Sequence, residues 1–130
     1  MKISMVSIPV ADQDQALAFY TEILGFKKHV DVPIGEDRWL TLVSSKDPEG
    51  PELLLEPNAE YQAMKALKES LVGDGIPYTA FQVDDVDAEF QRLTALGVRF
   101  TSDVMDFDGT KFAVFDDTCG NLIQIYQEAD

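Results

Sequence analysis

The sequence predicts an α+β fold made of two βαβββ modules. The main observation is a stretch that occurs twice: a strand end, a capped amphipathic helix and a glycine stop span residues 10–26 and again residues 83–98. The residues that recur 73 positions later are Val10, Asp12 and Asp14, which match Val83, Asp85 and Asp87. Three strand-like segments follow each copy. The repeat indicates a duplicated unit in which one helix covers one face of each small sheet.

The first helix carries clear boundary signals. Asp12 is placed to cap it through a side-chain oxygen, and Gln15 stands where it completes a capping-box-like start. Gly25 stands where helices often end in a left-handed residue. The apolar residues between them recur at the spacing of one helical face: Ala16, Leu17, Phe19, Tyr20, Ile23 and Leu24.

Alternating and turn-bounded segments predict the strands of the first module. We expect these strands at residues 3–10, 26–32, 38–44 and 51–56, with turns at residues 33–37 and 46–50. A helix over residues 58–71 follows and ends at Gly73 and Gly75. Its helical spacing is carried by Tyr61, Met64, Leu67 and Leu71.

The second module repeats the order. Asp85 caps its helix, and Gly97 ends it. The apolar face of this helix is predicted to be Val86, Phe90, Leu93 and Leu96. The strands are predicted at residues 77–83, 98–107, 110–116 and 121–126. We therefore expect one domain over residues 1–130, with modules at 1–57 and 76–130 and a linker helix within 58–75.

Composition limits the partners that this chain can have. Its 24 acidic and 10 basic side chains give a formal charge of −14, and no basic patch is visible. Such a chain repels nucleic acid and anionic membranes. It has no apolar run of membrane-spanning length and no signal-peptide pattern, which predicts a cytoplasmic protein. Cys119 is the only cysteine, so no internal disulfide can form.

Two motifs resemble the vicinal oxygen chelate superfamily, which includes glyoxalases, bleomycin-resistance proteins and extradiol dioxygenases. One is the helix stretch from Val10 to Phe26. The other is AVFDDTCGN, from Ala113 to Asn121, in which Thr118 replaces the usual proline. The resemblance implies a curved, cup-shaped mixed sheet with the helices outside, and often a homodimer. It is specific for fold and not for activity.

The resemblance also implies where a metal would bind. Metal-dependent members use residues of the first and last strand of each module. The matching positions here are Met5, Glu56, Tyr78 and Gln124. A thioether and a neutral phenol are poor ligands for a hard divalent ion, and the only histidine, His29, lies elsewhere. We therefore expect no metal or other cofactor.

Strand alternation predicts which side chains line a pocket. The aliphatic set that should face the helices is Ile8, Leu42, Leu55, Phe81, Val114 and Ile123. Ala80 and nine further residues have the opposite parity. These nine form the predicted ligand pocket: Met5, Ser7, Trp39, Thr41, Glu56, Tyr78, Lys111, Gln124 and Tyr126. Its mixture of aromatic and polar groups suits a small organic molecule.

Three side chains in or near this pocket have a candidate chemical role. Glu56 is the candidate base, and Lys111 is placed to pair with it. Cys119 has no readable base beside it, which favours a structural role.

These features predict a small-molecule-binding protein of the glyoxalase and bleomycin-resistance type. We expect it to hold an amphipathic or cationic organic ligand without a catalytic metal. One alternative is a glyoxalase-like lyase or isomerase that uses Glu56 with an atypical metal. Another is a regulatory module that keeps only the fold.

Overall fold

The computed structural model describes residues 1–129 and forms two compact units, Met1–Ala66 and a second unit from Leu67 onward, here called the first and second modules. The strands are β1 (Met5–Pro9), β2 (Lys27–Ile34), β3 (Asp37–Ser44), β4 (Asp47–Glu56), β5 (Thr79–Gln82), β6 (Met105–Phe107), β7 (Thr110–Asp116) and β8 (Leu122–Gln127). The helices are α1 (Gln13–Ala18), α2 (Gln62–Gly73) and α3 (Val86–Ala95), and α1 continues into a π-helical turn at Phe19–Ile23. No helix in residues 1–129 is long and apolar enough to cross a membrane.

Each module contains one four-stranded mixed sheet. The order is β1-β4-β3-β2 in the first and β5-β8-β7-β6 in the second. In both, the first strand runs parallel to the last, and the other neighbours are antiparallel. A crossover connection between parallel strands normally contains a helix, and here it contains α1 or α3. The predicted α+β class with two βαβββ modules is confirmed.

The helix starts are capped as predicted. The side chain of Asp12 accepts a hydrogen bond from the backbone N–H of Gln15 at 3.0 Å. The side chain of Asp85 accepts one from Ala88 at 3.0 Å. Gly97 has a φ of +89°, a conformation that glycine adopts without steric cost.

A buried glutamine fixes α1 to its sheet. The Gln13 amide nitrogen donates to the carbonyls of Arg38, at 2.7 Å, and Leu55, at 3.0 Å. Its amide oxygen accepts from the Arg38 N–H at 3.1 Å. One side chain thus joins the first turn of α1 to β3 and β4.

The cores lie between each helix and its sheet. In the first module, fully buried apolar residues are Ile8, Val10, Ala16, Tyr20, Leu40, Leu42 and Leu55. In the second, Phe115 and Ile123 are fully buried, and Phe100 stacks between Phe90, at 4.4 Å between ring centroids, and Phe115, at 5.5 Å. Large side chains at these positions exclude water from the contact between layers.

Several predicted boundaries are wrong. Most of the turn expected at residues 46–50 lies within β4, because a register shift after Val43 pairs Ser44 with Asp47 and confines the turn to residues 45–46. The strand expected over residues 98–107 is limited to β6, with one isolated bridge from Phe100 to Phe115.

The predicted apolar faces of two helices are also partly wrong. On α2 the buried residue is Lys68, whereas Leu67 is 45% exposed, because the Lys68 amine donates to the Cys119 carbonyl at 2.7 Å. Tyr61 lies before α2 and is exposed. At the end of α3, Leu96 is exposed while Val86 and Leu93 are buried.

Candidate functional site

The face of each sheet opposite its helix is here called the open face. Residues paired across neighbouring strands lie on the same side of a sheet, so the registers define this face. In the first module, Arg38 contacts Asp14 of α1, which marks Arg38 and its alternates Leu40 and Leu42 as the helix side. The open face carries Met5, Ser7, Val30, Val32, Trp39, Thr41, Glu52, Leu54 and Glu56.

A polar group centred on Glu52 lies on this face. The hydroxyl of Thr41, which is fully buried, donates to Glu52 Oε1 at 2.7 Å. His29 Nε2 lies 3.7 Å from the same oxygen. The side chain of Glu52 is 25% exposed. Thr41 therefore holds the carboxylate while leaving part of it accessible to solvent.

A β-bulge brings His29 to this position. The pairing of β2 with β3 shifts between Lys28 and Val30, so His29 is the extra residue. Bulges redirect side chains that regular alternation would place elsewhere. The Val30 N–H also donates to the Thr41 hydroxyl at 3.2 Å, which ties the bulge to Thr41.

An apolar strip runs beside the polar group. Val32 and Trp39 are cross-strand partners, and both are exposed, Trp39 by 37%. Leu54 pairs with Thr41 and is buried. The open face of the first module thus combines an accessible aromatic ring with a held carboxylate.

The register separates the two glutamates of β4. Met5 is paired with Glu52, and Glu56 is paired with Pro9. The Glu56 carbonyl accepts from the Val10 N–H at 2.8 Å. Its carboxylate has no hydrogen bond or ion pair with any residue in 1–129.

The open face of the second module is aromatic and amide-rich. Its cross-strand pairs join Gln124 to Ala80 and Val114, and Tyr126 to Gln82 and Phe112. Tyr78 precedes β5, and its N–H donates to the Leu122 carbonyl at 2.8 Å. By alternation from Thr79 it lies on the same face, and Tyr78, Gln124 and Tyr126 are each half-buried.

Two side chains of β7, Lys111 and Val114, lie on the side of the sheet opposite to the one predicted. Lys111 was expected on the open face with Glu56 as its partner, but its amine donates to Asp87 of α3 at 2.6 Å. Its strand partner Gln127 likewise accepts from the Val86 N–H of α3. Val114, expected toward the helix, is paired with Gln124 on the open face. The hydrogen bond to Asp87 raises the pKa of Lys111 above its ordinary value.

The turn that contains Cys119 is organised by a buried carboxylate. Asp117 is fully buried and accepts from the N–H groups of Cys119, at 2.8 Å, and Asn121, at 3.0 Å. The side-chain amide of Asn121 donates to it at 2.9 Å. Cys119 is itself buried, in keeping with a structural role for this turn.

With the fold and these faces described, the chain can be compared with known proteins. The model of the Glyoxalase/Bleomycin resistance protein/Dioxygenase superfamily matches residues 2–125. This protein belongs to that superfamily. The resemblance inferred from the two sequence motifs is therefore confirmed.

Relatives match along nearly the whole chain. YurT of Bacillus subtilis (strain 168) is 53% identical over 98% of this chain and 100% of its own length. The crystal structure of UcmS2 is similar with a TM-score of 0.83, 33% identity and 98% coverage of both chains. TnmS3, an antibiotic binding protein from Streptomyces sp. CB03234, has a TM-score of 0.77 and 27% identity, covering 99% of this chain and 97% of its own.

The side chains at the positions implied for a metal do not make a suitable donor set. Met5, Tyr78 and Gln124 supply a thioether, a phenol and an amide, and Glu56 supplies the single carboxylate. Within residues 1–129, no three histidine, cysteine, aspartate or glutamate side chains are grouped as a metal site requires.

The predicted pocket includes neither Glu52 nor His29. The pairing with Thr41 depends on the β3–β4 register, and the approach of His29 depends on the bulge. The one available signal was the parity of Glu52 with Leu54 and Glu56.

Proposed function

We propose that this protein binds an amphipathic or cationic organic molecule against the open face of its first module, without a catalytic metal. The observation that carries the proposal is the open face of the first module, where the exposed ring of Trp39 lies on the same side as the carboxylate of Glu52. Binding sites for small molecules combine apolar walls with a few placed polar groups.

Two further points support it. TnmS3 is an antibiotic binding protein, and it matches this chain along almost its full length. The formal charge of −14 favours the approach of cations over anions. The donor set at Met5, Glu56, Tyr78 and Gln124 favours binding over metal-dependent chemistry.

Trp39 is the only tryptophan, so its fluorescence reports on the proposed site directly. We expect bleomycin, a cationic glycopeptide, or at least one member of a panel of aromatic amines and neutral aromatic alcohols to change this emission. Isothermal titration should give one site per chain. Trp39→Phe should remove the signal, and Tyr61→Phe, at an exposed position before α2, should leave it unchanged.

Metal analysis of protein purified without chelators tests the alternative, a metal-dependent enzyme. Stoichiometric Ni²⁺, Zn²⁺ or Mn²⁺ that is lost in Glu56→Ala would replace binding with a glyoxalase-like lyase or isomerase function. No heat change with any panel member at millimolar concentration would also refute the proposal.

We also propose a cytoplasmic homodimer. The exposed apolar residue Ile34 of the edge strand β2 supports self-association, and a single cysteine, Cys119, which can form no internal disulfide, suits a reducing compartment. Light scattering after size-exclusion chromatography should give twice the 14.5 kDa chain mass. A mass of one chain at micromolar concentration would refute the dimer.

A further inference from the structure

We infer that Glu52, and not Glu56, is the residue that selects the ligand: it pairs with the ammonium group of an aromatic amine whose ring lies on Trp39. This inference rests on the proposed function and names the class of molecule bound. Sequence reasoning gave the polar role to Glu56.

The Glu52 carboxylate is held in place and can still accept further hydrogen bonds. Thr41 and His29 both contact Oε1, at 2.7 and 3.7 Å. The structure gives Oε2 no hydrogen-bond partner among residues 1–129, and the side chain is partly exposed. An ionised carboxylate accepts several hydrogen bonds. A cation can therefore be bound without displacing Thr41.

Thr41, which supports the Glu52 carboxylate, is itself held in one orientation. Thr41 is fully buried, so its hydroxyl is not free to turn toward solvent. It also accepts from the Val30 N–H, so it is itself oriented. A group positioned before binding loses less entropy when the ligand arrives. The Glu56 carboxylate has no such support, which is why Glu52 is the better recognition residue.

The aromatic surface of Trp39 lies near the position at which Thr41 holds the Glu52 carboxylate. The Thr41 hydroxyl that holds the Glu52 carboxylate lies on the same side of β3 as Trp39, two residues away, which is about 7 Å along a strand, although the strand partner of Glu52 is Val43. Val32 extends the apolar surface next to Trp39. The matching ligand has a fused aromatic ring with an ammonium group a short alkyl chain away.

Charged groups around Glu52 are compatible with an added cation. Lys27 of β2 lies on the same face, because its strand partner Val43 is also the partner of Glu52, but it is exposed, and within residues 1–129 no lysine or arginine forms an ion pair with Glu52. Lys28 pairs with Asp31 at 3.4 Å. Arg38 pairs with Asp14 and Asp31 on the helix side of the sheet. Lys28 and Arg38 thus have other carboxylate partners, so neither of them neutralises Glu52.

The test uses two probes with the same indole ring and ethyl chain, one ending in an ammonium group and the other in a neutral hydroxyl group. Tryptamine carries an ethylammonium group on an indole ring, and tryptophol carries an ethyl alcohol in its place. Titration at pH 7.5 in low salt should show tryptamine binding about tenfold more tightly, the effect of one charge-assisted hydrogen bond. The indole N–H resonance of ¹⁵N-labelled Trp39 should shift with both.

Glu52→Gln should abolish the tenfold preference, because the tryptamine affinity should fall by more than the tryptophol affinity. Glu49→Gln, the same change at an exposed position of β4, is the matched control and should keep the preference. Glu56→Gln should also keep it. Moderate salt should reduce the preference in the wild type and not in Glu52→Gln.

Each other outcome counts against the inference. Equal binding of the two probes by the wild type overturns it, as does a preference that survives in Glu52→Gln. If Glu52→Gln weakens the binding of both probes equally, Glu52 supports the sheet and does not distinguish a charged ligand from a neutral one. That result also overturns the inference. If neither probe binds but bleomycin or another panel member does, this inference fails while the proposed binding function stands.

Discussion

Replacing Thr41 with valine should destabilise the protein by about 2 kcal/mol, through loss of a single hydroxyl. The hydrogen bond from this hydroxyl to the Glu52 carboxylate contributes roughly 1.5–3 kcal/mol, as bonds to charged groups do. The bond from the Val30 N–H is lost as well. Burial of the added methyl group offsets about 0.8 kcal/mol, because the site is fully buried.

Urea unfolding followed by far-ultraviolet circular dichroism measures this change without relying on the nearby Trp39. A loss of about 2 kcal/mol corresponds to a melting temperature roughly 5–10 °C lower for a chain of this size. Thr41→Ser keeps the hydroxyl and serves as the control. It should lose only the packing of a methyl group.

A double-mutant cycle of Thr41→Val with Glu52→Ala isolates the contact. Groups that share a hydrogen bond show coupling of about 1–2 kcal/mol, whereas independent sites add to within about 0.5 kcal/mol. Coupling below that limit would refute the argument that Thr41 holds Glu52. The control cycle of Thr41→Ser with Glu52→Ala should show no such coupling, because serine keeps the hydroxyl and only the change at Glu52 removes the hydrogen bond.

Three further predictions concern the framework of the first module and the repeated helix caps. Gln13→Ala should cost about 2–4 kcal/mol in urea unfolding, because it removes three hydrogen bonds from a buried amide that joins α1 to β3 and β4. Asp12→Ala and Asp85→Ala should each cost about 1 kcal/mol, the usual value of an N-cap, with similar effects because the two caps have the same geometry. Asp31→Asn should weaken the fold at neutral pH and not in acid. The hydrogen bond from Arg38 lowers the pKa of Asp31 below its ordinary 3.8, so this contribution is present above that pH and is lost as the pH falls through the folded-state pKa.

Each of these three predictions has its own control or contradicting result. Gln91→Ala, at an exposed position on α3, should be neutral beside Gln13→Ala, and an equally small loss at Gln13 would show that water replaces the amide. A cap mutant with unchanged stability would mean that the helix start is held by packing alone. A constant difference between Asp31→Asn and wild type from pH 7 to pH 2 would contradict the pairing with Arg38.

Local signals predicted most of the framework, because they act within a few residues. Asp12 and Asp85 cap helices, and Gly97 takes the left-handed conformation, for reasons contained in the neighbouring sequence. The repeat of these signals was enough to predict two βαβββ modules. Alternation on β1, β3 and β8 also assigned Met5, Trp39 and Gln124 to the side of the sheet that the strand registers give.

Local signals failed where a contact from another element decided the outcome. Proline and glycine at residues 48–50 favoured a turn, yet these residues belong to β4, between the residue pairs Ser44–Asp47 and Val43–Glu52 that join it to β3. Helical spacing favoured Leu67, but Lys68 is the buried residue because its amine reaches the Cys119 carbonyl. Lys111 was assigned to the open face, whereas Asp87 of α3 binds it on the other side.

The sequence by itself determined the duplicated α+β architecture, the superfamily, the acidic charge and the poor donor set at the implied metal positions. These follow from local spacing and residue chemistry. Only the tertiary structure decided that Glu52 is the carboxylate that Thr41 holds. That choice depends on the β3–β4 register, which brings Thr41 to it, and on a one-residue bulge in β2, which turns His29 toward it. Neither follows from alternation, because a register shift of one residue moves every later side chain to the opposite face.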